Sequence, residues 1–246
     1  MKYFVVADVH GYFTEMLAAL NKAGYNMFDH KHIFVSLGDL FDRGPQPKEC
    51  LNFVNAIPDE NKILIRGNHE ALLDEALFRG SLTSADVENG TAATICSLAN
   101  DTHADTALTN LRFNRSYADY CNNLRDYYET ARYIFVHGWI PTLYTYGGKM
   151  YFYKENWRCS TEGEWNNARW TNGMQAWDLG AKEPNKTILC GHWHASWGHT
   201  FIEGKGPEFK NGSTLGDFTP FYGDGITALD ACTAFSGFVN CVVLED

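Results

Sequence analysis

The chain has 246 residues, 45% of them apolar and 15% aromatic, enough to bury a substantial core in one large domain or two small ones. Its 20 Lys and Arg against 30 Asp and Glu leave a formal net charge of -10. That excess of carboxylates excludes a non-specific nucleic-acid binder, which needs cations to displace counterions, and no apolar run is long enough to span a membrane. Lys2 to Ala7 is an apolar strand that delivers Asp8 at its C-terminal end. Thr14 to Ala23 is an amphipathic helix with Met16, Leu17, Leu20 and Ala23 on one face. A second strand, His32 to Leu37, ends at Gly38-Asp39, and Pro47 to Val54 reads as a helix. A third strand, Lys62 to Ile65, ends at Arg66-Gly67-Asn68-His69-Glu70, and a helix from Ala71 to Phe78 follows.

Strand and helix thus alternate, which predicts a parallel sheet flanked by helices, with ligands beyond the carboxyl ends of its strands. Residues 80–128 are less regular and read as a helical insertion near the site, with helices around Gly90 to Ala99 and Tyr117 to Tyr128. Tyr133 to Val136 is a strand ending at His137-Gly138. Tyr144 to Gly173 is aromatic and dotted with glycine, and reads as loops and short helices. Thr187 to Cys190 is a strand ending at Gly191-His192-Trp193-His194. From Ile226 the chain reads as a terminal hairpin, Ile226 to Leu229 against Phe238 to Leu244. No linker divides the chain, so residues 1–246 are expected to form a single domain. Seven cysteines without a CxxC pair, and no hydrophobic signal region before Lys2, predict reduced thiols in a cytoplasmic protein.

The residues that close successive strands are Asp8 and His10, Asp39, Asn68 and His69, His137, and His192 and His194. Carboxylates, imidazoles and an amide are ligands for borderline divalent metals. For any one of these residues alone, a cap or turn role is the commoner reading. Their coincidence at five strand ends of one sheet is not explained that way, and their number exceeds what one ion needs. Two ions with a shared carboxylate fit the count. In the same loop as Asp39, Asp42-Arg43-Gly44 offers a guanidinium fork that matches phosphate oxygens, or else a surface ion pair. His69 beside Asn68 suits a general acid, with Asp42 to orient it.

The runs DVHG, GDLFDRG, RGNHE, HGW and GHWH, in this order, resemble the calcineurin-like metallophosphoesterase superfamily. GDLFDRG and RGNHE are similar to its serine/threonine phosphatase (PPP) branch, bacterial and phage type, and Ala228 to Asp246 resembles that branch's closing hairpin. The resemblance implies an α/β fold of four layers, αββα, with two mixed sheets flanked by helices. It implies that Asp8, His10 and His194 bind one metal, that Asn68, His137 and His192 bind a second, and that Asp39 bridges them. Manganese is the expected metal, with iron, zinc or nickel as alternatives. Arg43, Asn68 and a second arginine would contact the phosphate; Arg169 is the best candidate for that arginine and Arg158 the alternative. His69 would be the acid and Asp42 its partner. Trp139 replaces the second glycine of the usual HGG, which would put a bulky group near the second metal.

The implied reaction is hydrolysis of a phosphomonoester by direct attack of a hydroxide that bridges the two metals, with no covalent enzyme intermediate. Phosphoserine or phosphothreonine proteins are the first expected substrate. Symmetrical dinucleoside polyphosphates, such as diadenosine tetraphosphate, and RNA ends or cyclic nucleotides are the alternatives. Trp139, Tyr144, Tyr146, Trp157, Trp165, Trp170, Trp177 and Trp193 could stack on bases, or could simply pack in the core. A scaffold that binds metal without catalysis is the non-enzyme alternative; it conflicts with the presence of every expected ligand.

Overall fold

A computed structural model describes residues 1–144, 150–210 and 215–246. In chain order the elements are β1 (Lys2–Val6), α1 (Phe13–Ala23), β2 (His32–Ser36), α2 (Pro47–Ala56), β3 (Lys62–Ile65) and α3 (Asn68–Arg79). Four helices follow: α4 (Ser84–Glu88), α5 (Thr91–Ala99), α6 (Ala104–Arg112) and α7 (Arg115–Asn123). Then come the short strands β4 (Leu124–Arg125), β5 (Tyr128–Glu129), β6 (Tyr133–Phe135), β7 (Leu143–Tyr144) and β8 (Tyr151–Phe152). The chain closes with α8 (Glu162–Arg169), α9 (Gly173–Asp178), β9 (Thr187–Cys190), α10 (Ser196–Phe201), β10 (Phe221–Gly223), β11 (Ile226–Ala228), α11 (Thr233–Ser236) and β12 (Cys241–Glu245).

The strands form two five-stranded sheets, β12-β1-β2-β3-β4 and β10-β11-β9-β6-β5, with β7 and β8 pairing separately. Both sheets are mixed. The centre of each is parallel, while β12, β10 and β5 run antiparallel to their neighbours. Alternation along the strands explains the layering. Tyr3, Val5 and Ala7 join Val35, Ile65, Phe135 and Leu189 in a core between the sheets, while Phe4 and Val6 face the other way, into the core with α1 to α3 and α5 to α7. The outer face of the second sheet buries Ile134, Val136, Ile188 and Cys190 with Trp139, Trp157 and Trp165. The result is the two-sheet sandwich between helices, and no helix among the described residues is long and apolar enough to cross a membrane.

Three expectations need correction. Helix α3 begins at Asn68, three residues before the expected Ala71, because Gly67 opens it and Glu70 turns back to accept from the Gly67 N–H at 2.8 Å. The expected helix over Tyr117 to Tyr128 stops at Asn123; Leu124–Arg125 instead pairs with β3 and Tyr128–Glu129 with β6, one strand to each sheet. Paired asparagines followed by adjacent tyrosines favour that exchange of helix for strand. The expected terminal hairpin is divided: β11 pairs with β9 and β10, whereas β12 crosses to the first sheet and lies along β1. Tyr146 lies outside the described residues.

Phe135 is fully buried in the layer between the sheets. Phe135→Ala should therefore cost about 3–5 kcal/mol of unfolding free energy, read from urea titration monitored by tryptophan fluorescence. A loss under about 1 kcal/mol would contradict this placement, since an unmatched cavity of that size cannot close cheaply.

Candidate metal centre

Each motif sits where a central parallel strand ends: Asp8 after β1, Asp39 after β2, Asn68 after β3, His137 after β6 and His192 after β9. The chain turns sharply there. Asp8, His10, Asp39, Asp42, Arg43 and His192 all have positive φ, between 50° and 70°. Such left-handed backbone is costly for non-glycine residues and persists only where surrounding bonds over-determine it. Here it directs polar side chains back over the strand ends. Glycines permit the close approaches: a Cβ at Gly67 would lie 2.1 Å from Asp39 Oδ1, and one at Gly191 would lie 2.1 Å from Asp8 Oδ2.

Two groups of donor atoms converge, His10 with Asp39 and His69, and Asp39 with His137 and His192, each within 4.8 Å. Asp39 belongs to both. Its Oδ2 lies 3.8 Å from His10 Nε2, and its Oδ1 lies 3.4 Å from His137 Nε2. Asn68 Oδ1 lies 2.8 Å from His137 Nε2 and 2.9 Å from His192 Nδ1. Asp8 is buried beside them and accepts the His192 backbone N–H on both oxygens, at 3.0 and 2.9 Å.

The tautomers follow from the backbone. His10 Nδ1 faces the Phe41 carbonyl at 3.0 Å and His137 Nδ1 the Leu37 carbonyl at 2.7 Å; each must donate, because a carbonyl only accepts. The outward Nε2 atoms therefore present lone pairs. Burial holds all three imidazoles neutral: His10 well below its usual range, His137 down to about 4 and His192 down to about 3. Lone pairs of His137 Nε2, Asn68 Oδ1 and Asp39 Oδ1 thus point at one another with no proton between them. A divalent cation satisfies such a set, so the residues fit the metal pair.

His69 differs. Burial pulls its pKa down, but the Asp39 charge and the hydrogen bond to Asp42 outweigh this and raise it. Its Nδ1 donates to Asp42 Oδ2 at 2.7 Å, while Nε2 faces the cluster, 4.0 Å from Asp39 Oδ2 and 3.2 Å from Arg43 Nη2. Arg43 Nη1 lies 2.8 Å from His10 Nε2, so this exposed guanidinium spans the mouth between the two rings.

Other expected residues are placed less directly. His194 is in neither convergent group; its Nδ1 lies 2.8 Å from Ser196 Oγ and its ring packs against Phe209. Arg169 is buried with Nη1 and Nη2 on Glu162 and Nη2 also on Asp126. Arg158 is paired with Glu129 and Glu183 and lies over the Trp157 ring. Trp139 does not crowd the cluster: it packs in the core behind the second sheet and donates to the Ala181 carbonyl at 2.9 Å. Trp157 and Trp165 are core as well, and Trp177 packs on Phe221. Trp170 and Trp193 are exposed and flank His192 at 5.6 and 6.1 Å between ring centroids.

Two residues escaped the sequence reading. Glu70 accepts from the N–H groups of Asp39 and Leu40, both at 2.9 Å, and from the Tyr120 hydroxyl at 3.0 Å. Its signal was an acidic residue three positions past Gly67, at a helix start. Asp230 lies buried beyond β11, close enough to Asp8 that each carboxylate disfavours charge on the other. It was hidden by the expectation of a hairpin there.

The sequence matches the family described as calcineurin-like phosphoesterase over residues 1–209. It is 34% identical over 113 residues to a symmetrical bis(5'-nucleosyl)-tetraphosphatase of Psychromonas ingrahamii, covering 46% of this chain and 38% of that protein. It is 33% identical over 73 residues to serine/threonine-protein phosphatase 1 of Salmonella typhimurium, covering 30% of this chain and 32% of that one. The chain thus spans only about a third of the length of these relatives. The fold is similar to a cold-active protein-tyrosine phosphatase of a psychrophilic Shewanella, with a TM-score of 0.55, 16% identity and coverage of 100% and 75% of the two chains.

Burial and mutual repulsion raise the Asp8 pKa well above the usual carboxylate range, and burial raises that of Asp230 to about 6. In ion-free protein Asp230 is therefore largely protonated below about pH 6, and Asp8 is shifted in the same direction, whereas the imidazoles of His137 and His192, lowered to about 4 and about 3, are already neutral and have no proton to give. An arriving cation expels the carboxylate protons, so Mn²⁺ affinity should climb as pH rises to about 6–7 and then level off. Titration calorimetry at pH 5.5 in buffers of different ionisation enthalpy should show proton release; uptake, or no proton exchange, would contradict this.

Proposed function

The chain belongs to the calcineurin-like phosphoesterase family, and from that premise we propose that it hydrolyses phosphomonoesters, first of all those of serine and threonine in proteins. The observation that carries this reading is the 2.7 Å bond from His69 Nδ1 to buried Asp42, which leaves Nε2 facing the cluster. A seryl or threonyl oxygen leaves as a strongly basic alkoxide and needs a proton. A nucleotide leaving from a dinucleoside polyphosphate is weakly basic and needs none. An oriented imidazole with a raised pKa suits the first class.

In this reading Asp8, His10 and His194 hold one divalent ion, Asn68, His137 and His192 hold the second, and Asp39 is shared; manganese is the proposed metal. When bound, such a pair supplies Lewis acidity to the phosphate oxygens and brings the pKa of water toward ~7. Arg43 grips the equatorial phosphate oxygens with its fork, and Asn68 orients the group from below. His69 passes its Nε2 proton to the departing oxygen while Asp42 keeps Nδ1–H fixed. Arg169 is the second phosphate cation, reached when exposed Glu162 gives way; its Nε is buried with no partner among the described residues. The seven free cysteines support a reducing, cytoplasmic setting.

A second reading has its own support. Trp170 and Trp193, exposed on either side of His192, could sandwich a nucleobase, and the Psychromonas relative is a dinucleoside tetraphosphatase. Kinetics with Mn²⁺ on a phosphoserine peptide, diadenosine tetraphosphate, a 2′,3′-cyclic nucleotide and p-nitrophenyl phosphate separate these. The expected order places the phosphopeptide above diadenosine tetraphosphate in kcat/KM. His69→Ala should cost about 10²–10⁴-fold on the peptide and far less on p-nitrophenyl phosphate, whose leaving group needs no acid. In the same assay Arg169→Ala should raise KM more than Arg158→Ala. A preference for diadenosine tetraphosphate that falls in Trp170→Ala and Trp193→Ala would replace the first reading with the second. No turnover on any substrate would favour a non-catalytic metal-binding protein.

A further inference from the structure

Asp42 is completely buried, and its carboxylate is held on one side only. Oδ2 accepts from His69 Nδ1 at 2.7 Å and from Thr91 Oγ1, also at 2.7 Å. Oδ1 is buried with no hydrogen-bond partner among the described residues. The direction of this carboxylate therefore rests on Oδ2 alone, and of its two partners only Thr91 is independent of the imidazole it orients. Thr91 is fully buried and is the first residue of α5, in the segment between β3 and β4. The same helix grips the loop twice more. Thr94 Oγ1 accepts the Asp42 N–H at 3.0 Å, and Gly90 packs so closely that a Cβ there would lie 2.4 Å from the Arg43 nitrogen. Asp42 and Arg43 are consecutive left-handed residues, with φ of 70° and 64°, so their backbone needs such external bonds.

We propose that Thr91 is a positioning residue for the reaction: its hydroxyl fixes the Asp42 carboxylate, which in turn fixes the ring plane of His69. The proposal rests on the reading of His69 as general acid. It gives the segment over residues 80–128 a share in the chemistry, since a helix outside both sheets then sets the aim of the proton donor. Thr91 itself touches neither phosphate nor leaving group. Its loss misdirects a proton and leaves phosphate binding alone.

Thr91→Val removes the hydroxyl at nearly constant shape; Thr91→Ser keeps it. With Mn²⁺-loaded protein, Thr91→Val should lower kcat on phosphoserine peptide about 10–100-fold, the range expected when a partner that orients a functional group is lost. KM should hold, p-nitrophenyl phosphate turnover should fall less than threefold, and Thr91→Ser should restore the wild-type rate. A readout free of turnover accompanies these. The His69 Nδ1 proton, assigned by its disappearance in His69→Gln, should give a sharp downfield resonance in wild type and Thr91→Ser, and a broadened one in Thr91→Val. If the valine variant does not fold, the Thr91→Ala and Thr91→Ser pair differs by the hydroxyl alone and decides the matter. Equal losses on both substrates, or a sharp resonance without the hydroxyl, would overturn the proposal. His69→Gln separates the two failures: if it loses equally on both substrates, the acid reading falls and this proposal with it. If it discriminates and Thr91→Val does not, only the role of Thr91 falls.

Discussion

The Glu70 carboxylate accepts from the backbone N–H groups of Gly67, Asp39 and Leu40 and from the Tyr120 hydroxyl. It thereby ties the loop after β2 to the first turn of α3 and to α7. The metal-binding arrangement depends on this knot. Asp39 must leave its strand in a left-handed conformation to present one oxygen toward each group of imidazoles. Left-handed residues cost about 1–3 kcal/mol each, and several adjoin here. Hydrogen bonds to a buried carboxylate are among the stronger ones a protein makes. Glu70 applies them to the two residues whose backbone would otherwise relax, and the His69 N–H adds another at 2.9 Å to Asp39 Oδ1.

What the knot holds in place is electrostatically unfavourable by itself. Asp8, Asp39 and Asp230 crowd under a layer of neutral imidazoles with their lone pairs outward. Burial penalises the charge on Asp8 and Asp230, and the neighbouring Asp39 raises both further. Stability alone does not explain such an assembly. Function does, through the proposed pair of divalent ions, and the overall charge of -10 is partly a count of their ligands. Arg43 is the exposed cation at this mouth, bridging His10 and His69, while Arg158 is held by Glu129 and Glu183, and Arg169 by Asp126 and the exposed Glu162.

Much of this was legible in the sequence because polar residues interrupted apolar runs at the same point in strand after strand. Asp8, Asp39, Asn68, His137 and His192 were found that way, and the fold placed their strand ends together. The pattern could not show pairing partners. β12 and β11 both look like members of a hairpin, and only the burial of each against a different sheet separates them. Glu70 was missed because it sits in the first turn of a helix and binds protein N–H groups, and Asp230, which does follow a strand, because that strand read as half of a hairpin. Among eight aromatics, the chain's local sequence did not distinguish Trp139, which is core, from Trp170 and Trp193, which are exposed; that difference depends on packing against distant parts of the chain. Thr91 carried no signal at all, since its partner is 49 positions away.

In the proposed centre one carboxylate, Asp39, organises two ions at these strand ends. Anomalous diffraction from crystals grown with Mn²⁺ tests it most directly. Two peaks should share Asp39, one beside Asp8 and His10 and the other beside Asn68, His137 and His192, with neither present in crystals of Asp39→Asn. A single ion, ions away from Asp39, or two full peaks in the Asp39→Asn protein would contradict it.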